Sequence, residues 1–210
     1  MSFREILSAI RATNGTVPEV RAVRRKYSSQ LRELSGDAML ALATKLARTG
    51  DVLARFAGYE LVRFHPAAFA LLDANAVVAL GEGMDSWDAV DAFGSIISGP
   101  AWKRDQIGDA LVISWARAKD RWWRRAALVS TVTLNRKPPA NDHVQRTLEI
   151  CATLVDDRDD MIVKALSWAL RELSKANADA VRRFVNDHRE SLAPRVKREV
   201  GNKLTRGTKR

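Results

Sequence analysis

Three short segments carry the residue types that could do chemistry. In Asp85-Ser86-Trp87-Asp88-Ala89-Val90-Asp91 an indole and a carboxylate stand four positions apart, which on a helix stacks them on one face. Such a patch suits a cleft that grips a sugar, base or cation. In Arg121-Trp122-Trp123-Arg124-Arg125-Ala126-Ala127-Leu128-Val129, Arg125 shares its face with Trp122 and Val129, while Arg124 falls nearer Asp120 and solvent. A charge inside an apolar stripe must be paired. Asp91 or a phosphate is the candidate partner for Arg125. The third segment, Asp160-Met161-Ile162-Val163-Lys164-Ala165-Leu166-Ser167-Trp168-Ala169-Leu170-Arg171-Glu172, sets Lys164, Trp168 and Arg171 along one stripe. Bases interleaved with an aromatic suit a polyanion, although pairing of Lys164 with Asp160 and an outward pairing of Arg171 account for them as well.

Helices must position these residues, and the sequence offers little else. Punctuation is sparse: Asn14-Gly15, Ser35-Gly36, Thr49-Gly50, His65-Pro66, Gly81 with Gly83, Gly99-Pro100 and Lys137-Pro138-Pro139. Between these marks lie strong helix formers, with no β-branched alternation long enough for a sheet. The class expected is all-α. Stop and start signals predict helices over roughly 2–13, 18–33, 37–48, 51–64, 66–81, 85–97, 101–117, 120–134, 141–155, 159–175, 177–188 and 190–205. Asp37, Asp51, Asn141 and Asp159 are the candidate N-caps. Helices of this length with short connections describe a bundle or an α-solenoid, and 51–70 and 102–134 fit the solenoid better.

The chain has 210 residues, 46% of them hydrophobic, enough to bury a core as one domain or at most two small ones. We expect a single domain over 1–210, with a basic tail at about 206–210. The lone Cys151 allows no internal disulfide and fits a reducing cytosol. His65, His143 and His188 are scattered, so no metal site is expected. No stretch approaches the roughly 20 apolar residues of a membrane span, and Met1–Arg11 lacks an apolar signal core, so a soluble, cytoplasmic protein is expected. Motifs for nucleotide hydrolysis and acyl transfer are missing.

A formal charge of +10 favours an anionic partner, nucleic acid ahead of a membrane surface. The charge is uneven. Residues 73–91 hold five acids (Asp73, Glu82, Asp85, Asp88, Asp91) and no base, which caps and turns would explain for Asp73, Glu82 and Asp85. Residues 195–210 hold seven bases and one acid, either a DNA-contacting tail or a frayed, solvated end. All six tryptophans (Trp87, Trp102, Trp115, Trp122, Trp123, Trp168) lie beyond residue 86. Core packing is their default use, but several stand close to Arg and Asp on shared faces, as a cleft gripping a sugar, base or cation requires.

In this order and at these separations, Trp87-x-x-x-Asp91, Trp122-Trp123-Arg124-Arg125-Ala126-Ala127 and Lys164-Ala165-Leu166-Ser167-Trp168-Ala169-Leu170-Arg171-Glu172 resemble the AlkD-like DNA alkylation repair glycosylases. The likeness covers about residues 50–205. It implies an α-α superhelix of HEAT-like, armadillo-type repeats. It further implies that Trp87, Asp91, Arg125 and Trp168 serve the active-site cleft, and that Arg171 contacts DNA. Lys164, Arg124, Arg136 and Lys137 would add phosphate contacts. The implied activity is monofunctional hydrolysis of the N-glycosidic bond of cationic N3- or N7-alkylated purines in duplex DNA. Neither cofactor nor metal is implied, and a cytoplasmic, nucleoid-associated monomer is expected. Two departures stand out. Leu34-Ser35-Gly36-Asp37 replaces a longer loop that family members use against the backbone, and Asp85-Ser86-Trp87 replaces an aromatic pair. The competing expectation is a non-catalytic HEAT-repeat module that binds DNA or another protein. A pure binder, however, has no need of a carboxylate facing a polyanion.

Overall fold

A computed structural model describes residues 2–136 and 143–209 of the chain. All regular elements among them are helical, so the fold is all-α, of the helical-repeat class. The helices gather into two compact units, Met1–Ala101 and Trp102–Arg210. No helix among the described residues is long and apolar enough to cross a membrane.

The first unit comprises α1 (Phe3–Arg11), α2 (Val17–Gln30), α3 (Gly36–Ala47), α4 (Val52–Arg63), α5 (Pro66–Ala70), α6 (Ala74–Gly81) and α7 (Trp87–Phe93). Short polar side chains start several of them. Asp51 accepts from the amides of Leu53 (3.0 Å) and Ala54 (3.2 Å), as its position predicts. For α3 the cap is Ser35, which takes the Ala38 amide at 3.3 Å, and not the expected Asp37. The helix expected over 66–81 is in fact α5 and α6. Asp73 accepts the Ala76 amide at 2.8 Å and so begins a new helix after the Leu71-Leu72 turn. α3 and α4 pack closely where Gly58 lacks a side chain, since a Cβ there would lie 3.1 Å from the Ala43 carbonyl oxygen.

Gly99-Pro100 does not break the chain's helical course. α7 runs through a π-helical turn, Gly94–Ser98, into α8 (Gly99–Lys103). Proline has no N–H and its ring crowds the carbonyl four residues back, so an ordinary α-turn would be strained there. The wider π-turn relieves that crowding, with the Gly99 amide reaching back to Gly94 O.

The second unit contains α9 (Asp109–Ala116), α10 (Arg121–Leu134), α11 (Val144–Thr153), α12 (Asp160–Leu173), α13 (Ala178–Asp187) and α14 (Pro194–Arg206). The helix expected over 101–117 is interrupted between Lys103 and Asp109, where Asp105 adopts φ 56°, a left-handed conformation that Asp tolerates. α10 is the unit's centre: from Arg125 to Val132 every side chain is buried, and α9, α11 and α12 pack against it. α12 in turn packs on α14. Asp159 caps α12 through the Met161 amide (2.8 Å), as predicted. The candidate cap Asn141 lies outside the described residues. The C-terminal segment is an ordered helix to Arg206, closed by left-handed Gly207, whose carbonyl accepts from Lys203 Nζ at 2.6 Å.

Candidate functional site

Trp87 and Asp91 belong to the first unit and lie one turn apart on α7, as their spacing predicts. Ala89, Val90 and Phe93 take the buried face of that helix, which leaves Trp87 57% exposed and Asp91 half-buried. The segment that presents Trp87 is fixed from below. Arg55, 4% exposed, donates from Nη1 to Tyr59 Oη (3.0 Å) and Leu80 O (3.1 Å), and from Nη2 to Glu82 O (2.9 Å). Tyr59 Oη also donates to Leu80 O at 2.9 Å, and burial pushes its pKa up to about 12, so the phenol keeps its proton. A guanidinium at the C-terminal carbonyls of α6 neutralises the negative end of that helix. Gly83, at φ +68°, then turns the chain toward α7. Sequence reasoning missed Arg55 and Tyr59. Their signal was a charged residue and a phenol at i and i+4 within the apolar stripe of α4.

Arg125 and Trp168 belong to the second unit. Arg125 is 5% exposed, as its apolar stripe predicts, and its Nη1 donates to Met161 O in the first turn of α12 at 2.6 Å. Arg124 is not turned to Asp120 and solvent. Its Nε pairs with Asp157 (2.8 Å) and its Nη1 donates to the carbonyls of Ala118 (3.1 Å) and Lys119 (2.7 Å), tying the start of α10 to the turn before α12. The other tryptophans divide by use. Trp102 is buried and donates to Asp109 at 2.7 Å, and Trp115 packs against Trp123 at 5.1 Å between ring centroids. Trp122 is half-buried beneath the Arg121 guanidinium, 4.9 Å from its ring.

Lys164, Trp168 and Arg171 all stand half-buried along α12, and the exposed Arg136 places its guanidinium 5.9 Å from the Trp168 ring. Lys164 pairs with Asp160 at 2.5 Å. That hydrogen bond is the main reason the Asp160 carboxyl titrates below its usual range, and the charges of Arg195 and Arg125 lower it further. Arg171 does not pair outward. Its Nε donates to Ser167 Oγ (3.2 Å) and lies 3.9 Å from Glu199 of α14. Glu199, 6% exposed, also accepts from Ser167 Oγ (2.6 Å) and Arg195 Nε (2.9 Å). Burial pushes its pKa up, but the bonds from Ser167 and Arg195 and the charges of Lys209 and Arg195 outweigh burial and hold the carboxyl below its ordinary value. Glu199 was not a predicted site residue, and Arg195 was expected only as one base of the 195–210 tail. Lys137 lies outside the described residues.

This geometry offers an exposed indole beside a carboxylate on α7, suited to a developing cation. On α12 it offers guanidinium and ammonium groups beside an indole, suited to phosphate. Among the described residues, no group of three or more His, Cys, Asp or Glu could hold a metal ion. No curated protein matches the chain significantly. A family model described as DNA alkylation repair enzyme matches residues 11–204.

Proposed function

The chain belongs to the DNA alkylation repair enzyme family, and from that premise we propose that it is a monofunctional DNA glycosylase acting on cationic N3- or N7-alkylated purines in duplex DNA. Such a base already carries the positive charge that a general acid would otherwise have to supply. When the C1′–N9 bond breaks, the electron pair leaves with the base, which departs neutral, and the sugar becomes oxocarbenium-like. Asp91 stabilises that cation and accepts the proton of the water that attacks C1′. Trp87 sets its π-face against the sugar, a contact worth about 0.5–2 kcal/mol. Arg125 and Trp168 are assigned to the same reaction by the family resemblance, Arg125 as a phosphate ligand and Trp168 as a second indole. Lys164, Arg171 and Arg136 contact the DNA backbone. Arg124 serves chiefly to fix the start of α10, because its donors are already engaged with Asp157 and two carbonyls.

The observation that carries this reading is the exposed Trp87 one turn before Asp91. That indole stands 57% exposed at the start of a helix whose other face is buried, with its ring open to solvent one turn from a carboxylate. Release of 7-methylguanine or 3-methyladenine from methylated duplex DNA tests it directly. Wild type should release base, and Asp91→Asn should lose about 10²-fold or more in single-turnover rate, the usual scale for removing one electrostatic stabiliser. Full activity in Asp91→Asn would remove Asp91 from the mechanism. Salt-dependent duplex binding by wild type without any base release would instead identify a non-catalytic DNA-binding module.

A further inference from the structure

We infer that Glu199 is a positioning residue that orients the Arg171 guanidinium toward a phosphate of duplex DNA. The inference rests on the DNA-acting reading above and adds a residue of α14 to the machinery that serves the phosphate-contacting face of α12.

A carboxylate buried in a basic region is costly unless its oxygens are satisfied. Glu199 meets that demand with Ser167 Oγ and Arg171 Nε on the α12 side, Arg195 Nε one turn earlier in α14, and Lys209 Nζ at 3.6 Å. Both arginines approach it through Nε, the edge nearest the main chain. Arg195 is further held by Asp160, 3.4 Å from its Nη1, and Asp160 also holds Lys164. One chain of alternating charge thus runs from Lys164 through Asp160, Arg195, Glu199 and Ser167 to Arg171.

The hydrogen bond and the ion pair that Arg171 makes with described residues both run through Nε, which leaves its two Nη groups without a hydrogen bond to a described residue. A guanidinium anchored at one edge and open at the other presents the planar fork that matches two phosphate oxygens. Anchoring also removes in advance the side-chain freedom that binding would otherwise cost. The neighbours agree with a nucleic-acid backbone as occupant. Trp168 stands three residues before Arg171 with Arg136 against its ring, and Lys164 stands one turn earlier still.

A purely structural ion pair and a positioning device make opposite predictions for Glu199→Gln. The substitution raises the net charge by one, so if orientation does not matter, duplex DNA should bind more tightly. We expect binding of undamaged duplex at fixed salt to weaken by about fivefold to tenfold, the scale of one phosphate contact. In a double-mutant cycle, Glu199→Gln should cost much less in an Arg171→Gln background, because it acts through that arginine. The Arg171 Nε–H resonance, assigned by its loss in Arg171→Gln, should exchange slowly with solvent in wild type and quickly in Glu199→Gln. Should Glu199→Gln fail to fold, Ser167→Ala removes the relay bond without changing charge and should weaken binding by about threefold. Unchanged or tighter binding by Glu199→Gln, or by Ser167→Ala where that variant decides, or additive effects in the cycle, would overturn the inference. Base release by wild type is scored separately. Weaker binding by Glu199→Gln with no release from wild type refutes the glycosylase reading and keeps this one; release with undiminished binding refutes this one alone.

Discussion

Trp87 and Trp102 show how differently one residue type is used in a single chain. Trp102 is 1% exposed with its indole N–H bonded to Asp109, whereas Trp87 leaves more than half its surface in solvent. Trp102→Ala should therefore lose about 3–5 kcal/mol of stability. Trp87→Ala should change stability by no more than about 0.5 kcal/mol, yet slow base release by about twofold to thirtyfold, the rate equivalent of its cation–π contact. Urea denaturation and single-turnover release, run on both variants, separate the two uses. An Ala substitution at Trp87 that destabilises like the one at Trp102 would mark it as a packing residue. Spacing made the pairing of Trp87 with Asp91 legible and the apolar stripe made the burial of Arg125 legible, because both are properties of one helix. The partner of Arg124 was not legible. Asp157 lies 33 positions away in a turn, and nothing local distinguishes it from Asp120 as a partner.

At the scale of elements, the helices were legible wherever apolar period and a capping side chain agree, as at Asp51 and Asp159. They were misread where the apolar pattern runs on through a turn, as at Leu71-Leu72, or where a proline is absorbed by a wider helical turn, as at Pro100. The junction of α12 with α14 escaped sequence reading because its charges meet only after folding. That junction has a signature in pH. The folded pKa values of Asp160 and Glu199 are both depressed. Their contribution to stability is therefore complete above the unfolded values, about 3.9 for Asp and 4.3 for Glu, and is lost as pH falls through the lower folded values. Stability measured by urea denaturation should owe no change to these groups between pH 7 and about pH 5, and should fall below about pH 4. Glu199→Gln should flatten part of that acid decline. An unchanged acid slope in the variant would mean that Glu199 titrates alike in the folded and unfolded chain.

Across the whole molecule, the formal charge of +10 is confined to one unit. Met1–Ala101 carries 11 Lys and Arg against 11 Asp and Glu, whereas Trp102–Arg210 carries 24 against 14. The unit bearing Trp87 and Asp91 thus carries no net charge, and its segment from Asp73 to Asp91 holds five acids and no base. On the proposed reading, affinity for DNA comes mainly from the second unit, where several bases are already committed, Arg124 to Asp157 and Arg146 to Asp105 and Asp109 among them. An exposed base with an aromatic neighbour, such as Arg136 beside Trp168, is better placed to replace a counterion on the DNA backbone. Each phosphate so neutralised contributes about −0.9 to the slope of log Kobs against log salt concentration. Arg136→Gln should accordingly make that slope shallower by about one, while Arg25→Gln, which removes another exposed charge from α2 of the first unit, should leave it unchanged. Titrating undamaged duplex DNA with both variants across a range of salt concentrations decides the matter. Equal changes in slope would show that the charge acts as a diffuse coat; a change confined to Arg136→Gln would show that the phosphate contacts belong to the second unit.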